Sequence, residues 1–564
     1  MSYNVCFLVF LSCLLLLGVT FATNMEQTTI VIDVTRQIAE IDENFVCATL
    51  DWWPPENAIT ISNLSSPLLA KAIQGLCNIY HKPYSHSNRL YAETSLDCCL
   101  AFKTLRIRIG GSLQDQVIYD VGDLKTPCTQ FKKSDDGLFG FSEGCLYMER
   151  WDELNRFFHA TGAIVTFGLN ALYGREKLRG NAWGGEWDHT NTQDFMNYTV
   201  SKGYAIDSWE FGNELSGSGI GASVSVELYG NDLIVLKDVI KNVYKSSRTK
   251  PLLLAPGGFY EEKWYSELFR LSGPGVLDVM THHIYNLGPV IIESFGRNDP
   301  KLVSRILDPK YLSGSVTGLF KNVERTIQEH GPWASAWVGE AGGAFNSGGR
   351  EVSETFINSF WYLDQFGMSS MHNTKVYCRQ ALVGGFYGLL ERKRLFPIQI
   401  TTGNALLWHR LMGKGVLGIQ TNASEYLRTY VHCSKGRAGI TILLINLSKQ
   451  TTFTVGVSNG VKVVLQAEST KRRSFSETTK SKVSWVGKKA SDGYLNREEY
   501  HLSPKDGDLR SKIMMLNGNP LEPTVTGDIP KLEPVRYSVK SPVYINPLTI
   551  SFIVLPTFDA PACS

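Results

Sequence analysis

The chain has 564 residues, of which 43% are hydrophobic and 20% are charged, as in an ordinary globular protein. This length exceeds what one hydrophobic core usually organises, so we expect one large domain and one smaller domain. The formal net charge of +2 gives no broad cationic surface. It argues against nucleic acid or a strongly anionic polymer as the main partner.

The N-terminus carries an apolar run over residues 5–21, followed by the small residue Ala22. The run is short for a bilayer span of ~20 residues, and small residues at its end are typical of signal-peptide cleavage sites. The pattern predicts a signal peptide over 1–22 and no transmembrane span in the mature chain. The protein is then expected outside the cell, or in a lysosome or vacuole, with peripheral membrane or cell-wall association left open.

Four Asn-X-Ser/Thr acceptor sequences fit a secretory route: Asn63, Asn197, Asn422 and Asn446. Removal of the signal peptide would leave nine of the eleven cysteines, so at least one thiol is unpaired or pairs with another chain. Cys433 and Cys563 lie in the C-terminal region and are the first pair that we expect to form a disulfide. Two buried free thiols are the alternative.

Residues 42–412 contain eight short runs of β-branched, aromatic or aliphatic residues, separated by segments with helical patterns. Several runs are almost continuously apolar, as in strands that are covered on both faces. The alternation predicts an α/β fold, a (β/α)8 TIM barrel. The predicted strands are 45–51, 104–111, 163–170, 208–214, 251–257, 277–285, 335–342 and 374–382.

Two regions differ from this pattern. Residues 75–100 carry three cysteines and no clear periodicity, which predicts an extruded loop inserted in the barrel. Residues 413–564 alternate apolar and polar positions between turn residues, as in 438–445 and 543–552, and predict a C-terminal β-sandwich. The strand-like stretch 27–41 is expected to join that sandwich.

Polar residues cluster where the predicted barrel strands end: Asp51, Asn170, Glu214, His282, His283, Tyr285 and Glu340. In a (β/α)8 barrel the C-terminal strand ends form the active site, so these side chains are expected to converge. His282 and His283 must point to opposite faces, and Tyr285 shares the face of His283. The sequence does not decide which histidine faces the lumen.

Glu214 and Glu340 are the candidate catalytic pair. A retaining glycosidase needs two carboxyl groups about 5–5.5 Å apart, one to protonate the leaving oxygen and one to attack the anomeric carbon. The structural alternative, in which both glutamates form salt bridges and Asn213 caps a helix, requires that both fall at strand ends by chance.

Several motifs carry a family resemblance: Leu105-Arg-Ile-Arg-Ile-Gly-Gly, Trp209-Glu-Phe-Gly-Asn-Glu, Thr281-His-His-Ile-Tyr and Trp337-Val-Gly-Glu. In their order and spacing the chain resembles the plant-type heparanase-like β-glucuronidases of glycoside hydrolase family 79. The resemblance covers nearly the whole mature chain. It implies that Glu214 is the general acid/base and that Glu340 is the nucleophile.

The resemblance also implies the sugar-binding residues. Asn213 would contact the sugar 2-hydroxyl, and Tyr387 with neighbouring backbone amides would hold the glucuronate carboxylate. The other residues placed near the terminal sugar are Asp51, Gly110, Gly111, Asn170 and Gln380. No metal site is expected, because no HExxH run or close Cys/His cluster occurs, and no cofactor is required.

The expected partner is a glucuronate-containing oligosaccharide, a proteoglycan or an aromatic glucuronide. The run Gly257-Gly-Phe-Tyr-Glu-Glu-Lys-Trp is acidic and aromatic where animal heparanases are expected to be basic, which favours removal of terminal glucuronate. The alternatives are endo cleavage of the heparanase type and a noncatalytic carbohydrate-binding protein. The 75–100 insertion and residues 391–404, which depart from the family pattern, leave open a folded protein with impaired activity.

Overall fold

The computed structural model describes residues 24–52, 104–125, 127–289, 300–390, 399–459, 496–523 and 530–564. The predicted signal peptide 1–22, the acceptor Asn63, the 75–100 insertion and residues 391–398 lie outside the described residues. Within the described ranges, none of the helices has the length and apolar character needed to cross a membrane.

Eight parallel strands close into a barrel, which confirms the predicted (β/α)8 fold. Each predicted strand run overlaps one of them, and the fifth strand extends two residues beyond its predicted run: Val46–Asp51, Arg106–Gly110, Ile164–Leu169, Ser208–Phe211, Leu252–Phe259, Val279–Ile284, Ser335–Ala341 and Thr374–Arg379. The helices of the described residues are Met148–Thr161, Thr190–Ser201, Val226–Val243, Glu262–Ser272, Pro300–Ile306, Pro309–His330, Ile357–Met371 and Gln399–Leu411.

An apolar layer fills the lumen near the N-terminal ends of the strands. It consists of Leu254, Val279, Trp337 and Val376 around the disulfide between Cys47 and Cys378. The Arg106 guanidinium lies 4.5 Å from the centre of the Trp337 ring and donates to Asp207. Because strand side chains alternate between the two faces, Arg108 follows Arg106 into the lumen one layer higher. Arg108 therefore lies above a packed apolar base.

An eleven-stranded sheet, almost entirely antiparallel, forms the predicted C-terminal sandwich around its own apolar core. The N-terminal strand Asn24–Glu40 belongs to this sheet, antiparallel to Met412–Thr421 and parallel to Thr451–Asn459. The other strands are Leu427–Ser434, Ile440–Asn446, Asn496–Pro504, Met514–Leu516, Asn519–Pro520, Val535–Ser538, Val543–Ile545 and Ile550–Leu555. The predicted disulfide between Cys433 and Cys563 is present.

The predicted run 543–552 is not one strand but two, Val543–Ile545 and Ile550–Leu555. Pro547 lies between them, and its ring nitrogen has no hydrogen to donate to a neighbouring strand. The following residue, Leu548, has a φ of 54°, which turns the chain out of the sheet.

The described acceptor sequences differ in exposure. The Asn197 and Asn422 side chains are exposed. Asn446 is 0% exposed, and its Nδ2 donates to the carbonyls of Thr451, Ile545 and Asn546. The prediction of Asn446 as a glycan acceptor is therefore wrong for the folded chain, because a glycan on that nitrogen would displace these bonds.

We expect Asn446→Ala to lower the free energy of unfolding by about 1–3 kcal/mol, since it leaves buried carbonyls without a donor. Asn197→Ala, on an exposed helix face, should stay within about 0.5 kcal/mol of the parent after enzymatic deglycosylation. Chemical denaturation measures both values, and peptide mass mapping checks for glycans. Equal stability of the two variants, or a glycopeptide containing Asn446, would contradict this assignment.

Candidate active site

The structure brings the two predicted glutamates together across the barrel mouth. Glu340 lies on the seventh barrel strand, and Glu214 lies in the loop after the fourth. One carboxylate oxygen of each glutamate and one ring nitrogen of His283 all lie within 4.8 Å of one another. The pair therefore meets in space although 126 positions separate it in the sequence.

A β-bulge turns Glu340 into the lumen. On the neighbouring sixth strand, the consecutive residues His282 and His283 pair with Val338 and Glu340. The seventh strand therefore has one extra residue between these two pairs. Trp337 faces the lumen, and simple alternation would point Glu340 at the surrounding helices. The extra residue, Gly339, restores the inward direction, as bulges near active sites commonly do.

Glu214 is held in a strained backbone conformation. The fourth strand ends at Phe211, three residues earlier than predicted, and Glu214 has a φ of 57°. This left-handed conformation costs an L residue about 1–2 kcal/mol. The Glu214 amide donates to the carbonyl of Gly257 over 2.7 Å, and its Oε1 lies 2.9 Å from His283 Nδ1. The neighbouring strands thus fix both the backbone and the carboxylate.

Arg108 connects the carboxylates of the lumen and is 1% exposed. Its Nε donates to Glu210 over 2.5 Å, and its two terminal nitrogens donate to Glu340 over 3.0 Å and to Asn213 over 2.9 Å. One planar guanidinium therefore orients Glu340 and the residue that precedes Glu214. Glu210, which is 0% exposed, anchors the guanidinium from the other side.

The surroundings of Glu340 favour its ionised form. Burial by itself raises the pKa of this carboxyl, but the positive charges of His283 and Arg108 and a hydrogen bond from Tyr285 outweigh it and lower the pKa. The Tyr285 hydroxyl donates to Oε1 over 2.5 Å, while Arg108 holds Oε2. Both oxygens of Glu340 therefore accept hydrogen bonds, which favour the ionised carboxylate.

His283 is the histidine that faces the lumen, with Tyr285 beside it. His282, which was expected among the residues that converge at the strand ends and that could bind substrate, points outward instead: its ring packs 6.1 Å from that of Phe320 on the outer helix Pro309–His330. Burial, followed by the charge of His283, lowers the pKa of His282 to about 3, which keeps it neutral.

On the other side of the lumen, the first and eighth strands supply a polar group. Gln380 accepts a hydrogen bond from Thr49 and donates to Oδ2 of Asp51. Asp51 Oδ1 is buried without a hydrogen-bond partner among the described residues. Burial and the negative charge of Glu340 raise the pKa of Asp51 to about 7. Tyr387 is buried nearby, and its ring lies against Gly342.

Gly110 and Gly111 lie beneath this polar group. Gly111 has a φ of 87°, and a Cβ atom added there would come within 2.6 Å of the Asp51 carboxyl carbon. At Gly110 an added Cβ would come within 2.6 Å of Gln114 Oε1. Both glycines give room to the side chains above them.

Asn170 directly follows the third barrel strand, as predicted, and its side chain is hydrogen-bonded within the protein. Its Oδ1 accepts from the amides of Leu172 and Tyr173, and its Nδ2 donates to the carbonyl of Val117. These bonds hold the side chain against the loop after the third strand and the carbonyl of Val117, and the sugar contact of Asn170 stays a prediction. Asn213, by contrast, lies at the centre of the site, with its Oδ1 on Arg108.

Sequence reasoning missed three residues of the site. In the sequence, Arg108 and Glu210 lie within two of the motifs, and Asp115 lies outside them. Asp115 accepts hydrogen bonds from the backbone amides of Ala171 and Asn213, each over 2.8 Å, and so fixes the start of the Glu214 loop. The available signal was a charged side chain inside an otherwise apolar strand, because such a residue needs a buried partner.

Comparison with known proteins places this geometry in a family. Residues 27–367 match the model described as glycosyl hydrolase family 79, N-terminal domain. The chain is 77% identical to heparanase-like protein 2 of Arabidopsis thaliana, with 100% of both chains covered. It is 34% identical to baicalin-beta-D-glucuronidase of Scutellaria baicalensis, covering 94% of this chain and 93% of that protein.

Among solved structures, the fold is similar to that of a 4-O-alpha-L-rhamnosyl-beta-D-glucuronidase from Fusarium oxysporum. The TM-score is 0.60 at 13% sequence identity, and the superposition covers 93% of this chain and 100% of that one. At this identity the likeness is one of fold.

Replacement of Arg108 by Met should lower the free energy of unfolding by about 3–5 kcal/mol, because it leaves Glu210 and Glu340 buried without a counter-charge. Arg270→Met is the matched control, since Arg270 pairs with Glu267 at the surface, and it should cost at most about 1 kcal/mol. Urea unfolding of the two variants measures the difference. Comparable losses would show that Arg108 does not neutralise the buried carboxylates.

Proposed function

Since the chain belongs to glycoside hydrolase family 79, we propose that it removes β-linked glucuronate from glycoconjugates with retention of anomeric configuration. The observation that carries this proposal is the approach of Glu214 and Glu340 oxygens to within 4.8 Å. Retaining enzymes have carboxyl groups about 5–5.5 Å apart, whereas inverting enzymes leave roughly 6.5–9.5 Å for a water molecule.

In this mechanism Glu340 attacks the anomeric carbon and forms an ester as the glycosidic bond breaks. Glu214 donates its proton to the leaving oxygen, then accepts a proton from the water that hydrolyses the ester. The lowered pKa of Glu340 supports its role, because a nucleophile must be ionised. Arg108 and Tyr285 hold the two Glu340 oxygens in place for attack.

The sugar would lie between the glutamates and the polar group on the first and eighth strands. Asp51 Oδ1 is available for a sugar hydroxyl, and Gln380 fixes the orientation of the Asp51 carboxyl. Asn213 is aligned by Arg108 for the 2-hydroxyl, where a hydrogen bond strengthens in the transition state. Tyr387 and nearby backbone amides would hold the glucuronate carboxylate.

The residues after the fifth strand favour terminal glucuronate over cleavage within sulfated chains. The stretch 257–264 contains one lysine and two glutamates, all three exposed, and Glu262 pairs with Arg325. Sulfate binding uses charge-assisted hydrogen bonds from Lys or Arg, which this rim does not concentrate. The similarity to a protein named baicalin-beta-D-glucuronidase supports aromatic glucuronides as one substrate class.

Three disulfides among the described residues support the secretory route: Cys47–Cys378, Cys128–Cys145 and Cys433–Cys563. Disulfides of this number persist in oxidising compartments, so we place the protein outside the cell or in a vacuole or lysosome. The exposed Asn197 and Asn422 are the described positions that remain as glycan acceptors.

The mechanism is tested by the anomer that is released first. We expect an aryl β-glucuronide to yield β-glucuronic acid before mutarotation, as followed by proton NMR. Glu340→Gln should reduce hydrolysis by roughly a thousandfold or more, because the nucleophile and the acid/base act as a unit. Release of the α-anomer would overturn retention, and unchanged turnover by the variant would overturn the role of Glu340.

Asp51 should set the alkaline limit of activity. Its raised pKa of about 7 means that the side chain holds a proton below this pH and carries a negative charge above it, beside Glu340 and the substrate carboxylate. We expect kcat/KM of the parent to fall above about pH 7. Asp51→Asn should remove that limb, and an unchanged pH profile in the variant would refute the assignment.

A further inference from the structure

Phe259 is an apolar side chain left exposed beside the reacting groups. It ends the fifth barrel strand and is 44% exposed. Its ring centre lies 6.4 Å from that of His283 and 6.3 Å from that of Tyr285. These two residues are the hydrogen-bond partners of Glu214 and Glu340. The Phe259 ring therefore lies against His283 and Tyr285 on one side and is exposed on the other.

The barrel order places Phe259 opposite the proposed sugar-binding group. Around the closed barrel, the fifth strand lies diametrically across from the first strand, which ends at Asp51. Gln380 follows the eighth strand, next to the first. The two glutamates lie between these sides, so a sugar held by Asp51 and Gln380 directs its leaving group toward Phe259.

We propose that Phe259 is the platform of a leaving-group subsite that binds a neutral aglycone through a flat, ring-shaped face. This inference rests on the proposed function. An aromatic side chain gains most from stacking against another aromatic ring, or against the apolar C–H face of a pyranose. The shared chemistry of the ligand is thus a flat apolar face next to the glycosidic oxygen.

The negative charge of Glu261 at this rim disfavours anionic aglycones. Glu261 is exposed two residues after Phe259, and its carboxylate lies against Gly217 in the loop that carries Glu214. A Cβ atom added at Gly217 would come within 2.1 Å of Glu261 Oε2. A sulfate or carboxylate on the leaving group would meet this negative charge, and like-charge contact disfavours binding.

The test compares Phe259→Ala with the parent on three substrates: methyl β-glucuronide, an aryl β-glucuronide and a disaccharide of β-glucuronate linked to galactose. We expect kcat/KM of the variant to fall roughly 5- to 10-fold for one or both ring-bearing substrates, mainly through KM, and to stay unchanged for the methyl glycoside. Loss with the aryl substrate alone identifies an aromatic aglycone, and loss with the disaccharide alone identifies a sugar.

Two controls separate stacking from structural damage. Phe259→Trp keeps a flat ring and should keep the preference for ring-bearing substrates, whereas Tyr544→Ala removes an exposed aromatic ring from the distant sandwich and should change none of the rates. Inhibition by free glucuronic acid, which occupies the sugar side alone, should be the same in the parent and in Phe259→Ala.

Equal rate losses on all three substrates, or no loss on any, overturn the assignment of Phe259. An active parent with such a result leaves the proposed function standing. A parent that hydrolyses no β-glucuronide overturns the function and the subsite together.

The charge effect of Glu261 has its own test. Glu261→Gln should raise turnover of a sulfated aryl β-glucuronide several-fold relative to the unsulfated one, and an unchanged ratio would refute the charge effect.

Discussion

The site depends on the guanidinium of Arg108. Two carboxylates, Glu210 and Glu340, are buried in the lumen, and burial of either without a counter-charge would be strongly unfavourable. Arg108 offers five N–H groups in a rigid plane, so it bonds both carboxylates and Asn213 at once. A lysine could place its charge there but could not hold three partners in fixed directions.

Sharing this guanidinium has an electrostatic consequence. The same positive charge compensates Glu210 and Glu340, and together with His283 and the hydrogen bond from Tyr285 it lowers the pKa of Glu340 despite its burial. The contact that makes burial of the carboxylates tolerable thus also favours the ionised form of Glu340.

The sequence allowed the fold and the meeting of the two candidate glutamates to be predicted, because apolar runs and their polar ends are local patterns. All eight barrel strands lie where the runs are, and Glu214 and Glu340 meet although their strands are not neighbours. The direction in which a single side chain points was harder to predict from the sequence. Alternation alone would have pointed Glu340 outward from Trp337, and the bulge at Gly339 depends on pairing with the sixth strand.

The errors have the same physical origin. His282 and His283 are indistinguishable in sequence, and only the packing of His282 on Phe320 decides which one faces the lumen. Asn446 matches an acceptor pattern of three residues, yet its amide satisfies carbonyls about 100 residues away in the sandwich. Arg108 was overlooked because its partners lie on other strands. In each case the outcome is decided by a contact between residues that are far apart in the sequence, and a short segment of sequence does not reveal such a contact.

The layering of the lumen shows why stability and chemistry are joined in this barrel. Trp337 and the disulfide pair close the base, Arg106 covers Trp337, and Arg108 holds the carboxylates one layer above. Arg106 and Arg108 are each paired with a carboxylate, so the charges beneath Glu340 are compensated. Above this packed base, the strand ends that carry Asp51 and Phe259 lie on opposite sides of the barrel. Charge pairing in the interior therefore makes burial of Glu340 tolerable and holds its carboxylate in a fixed direction at the barrel mouth.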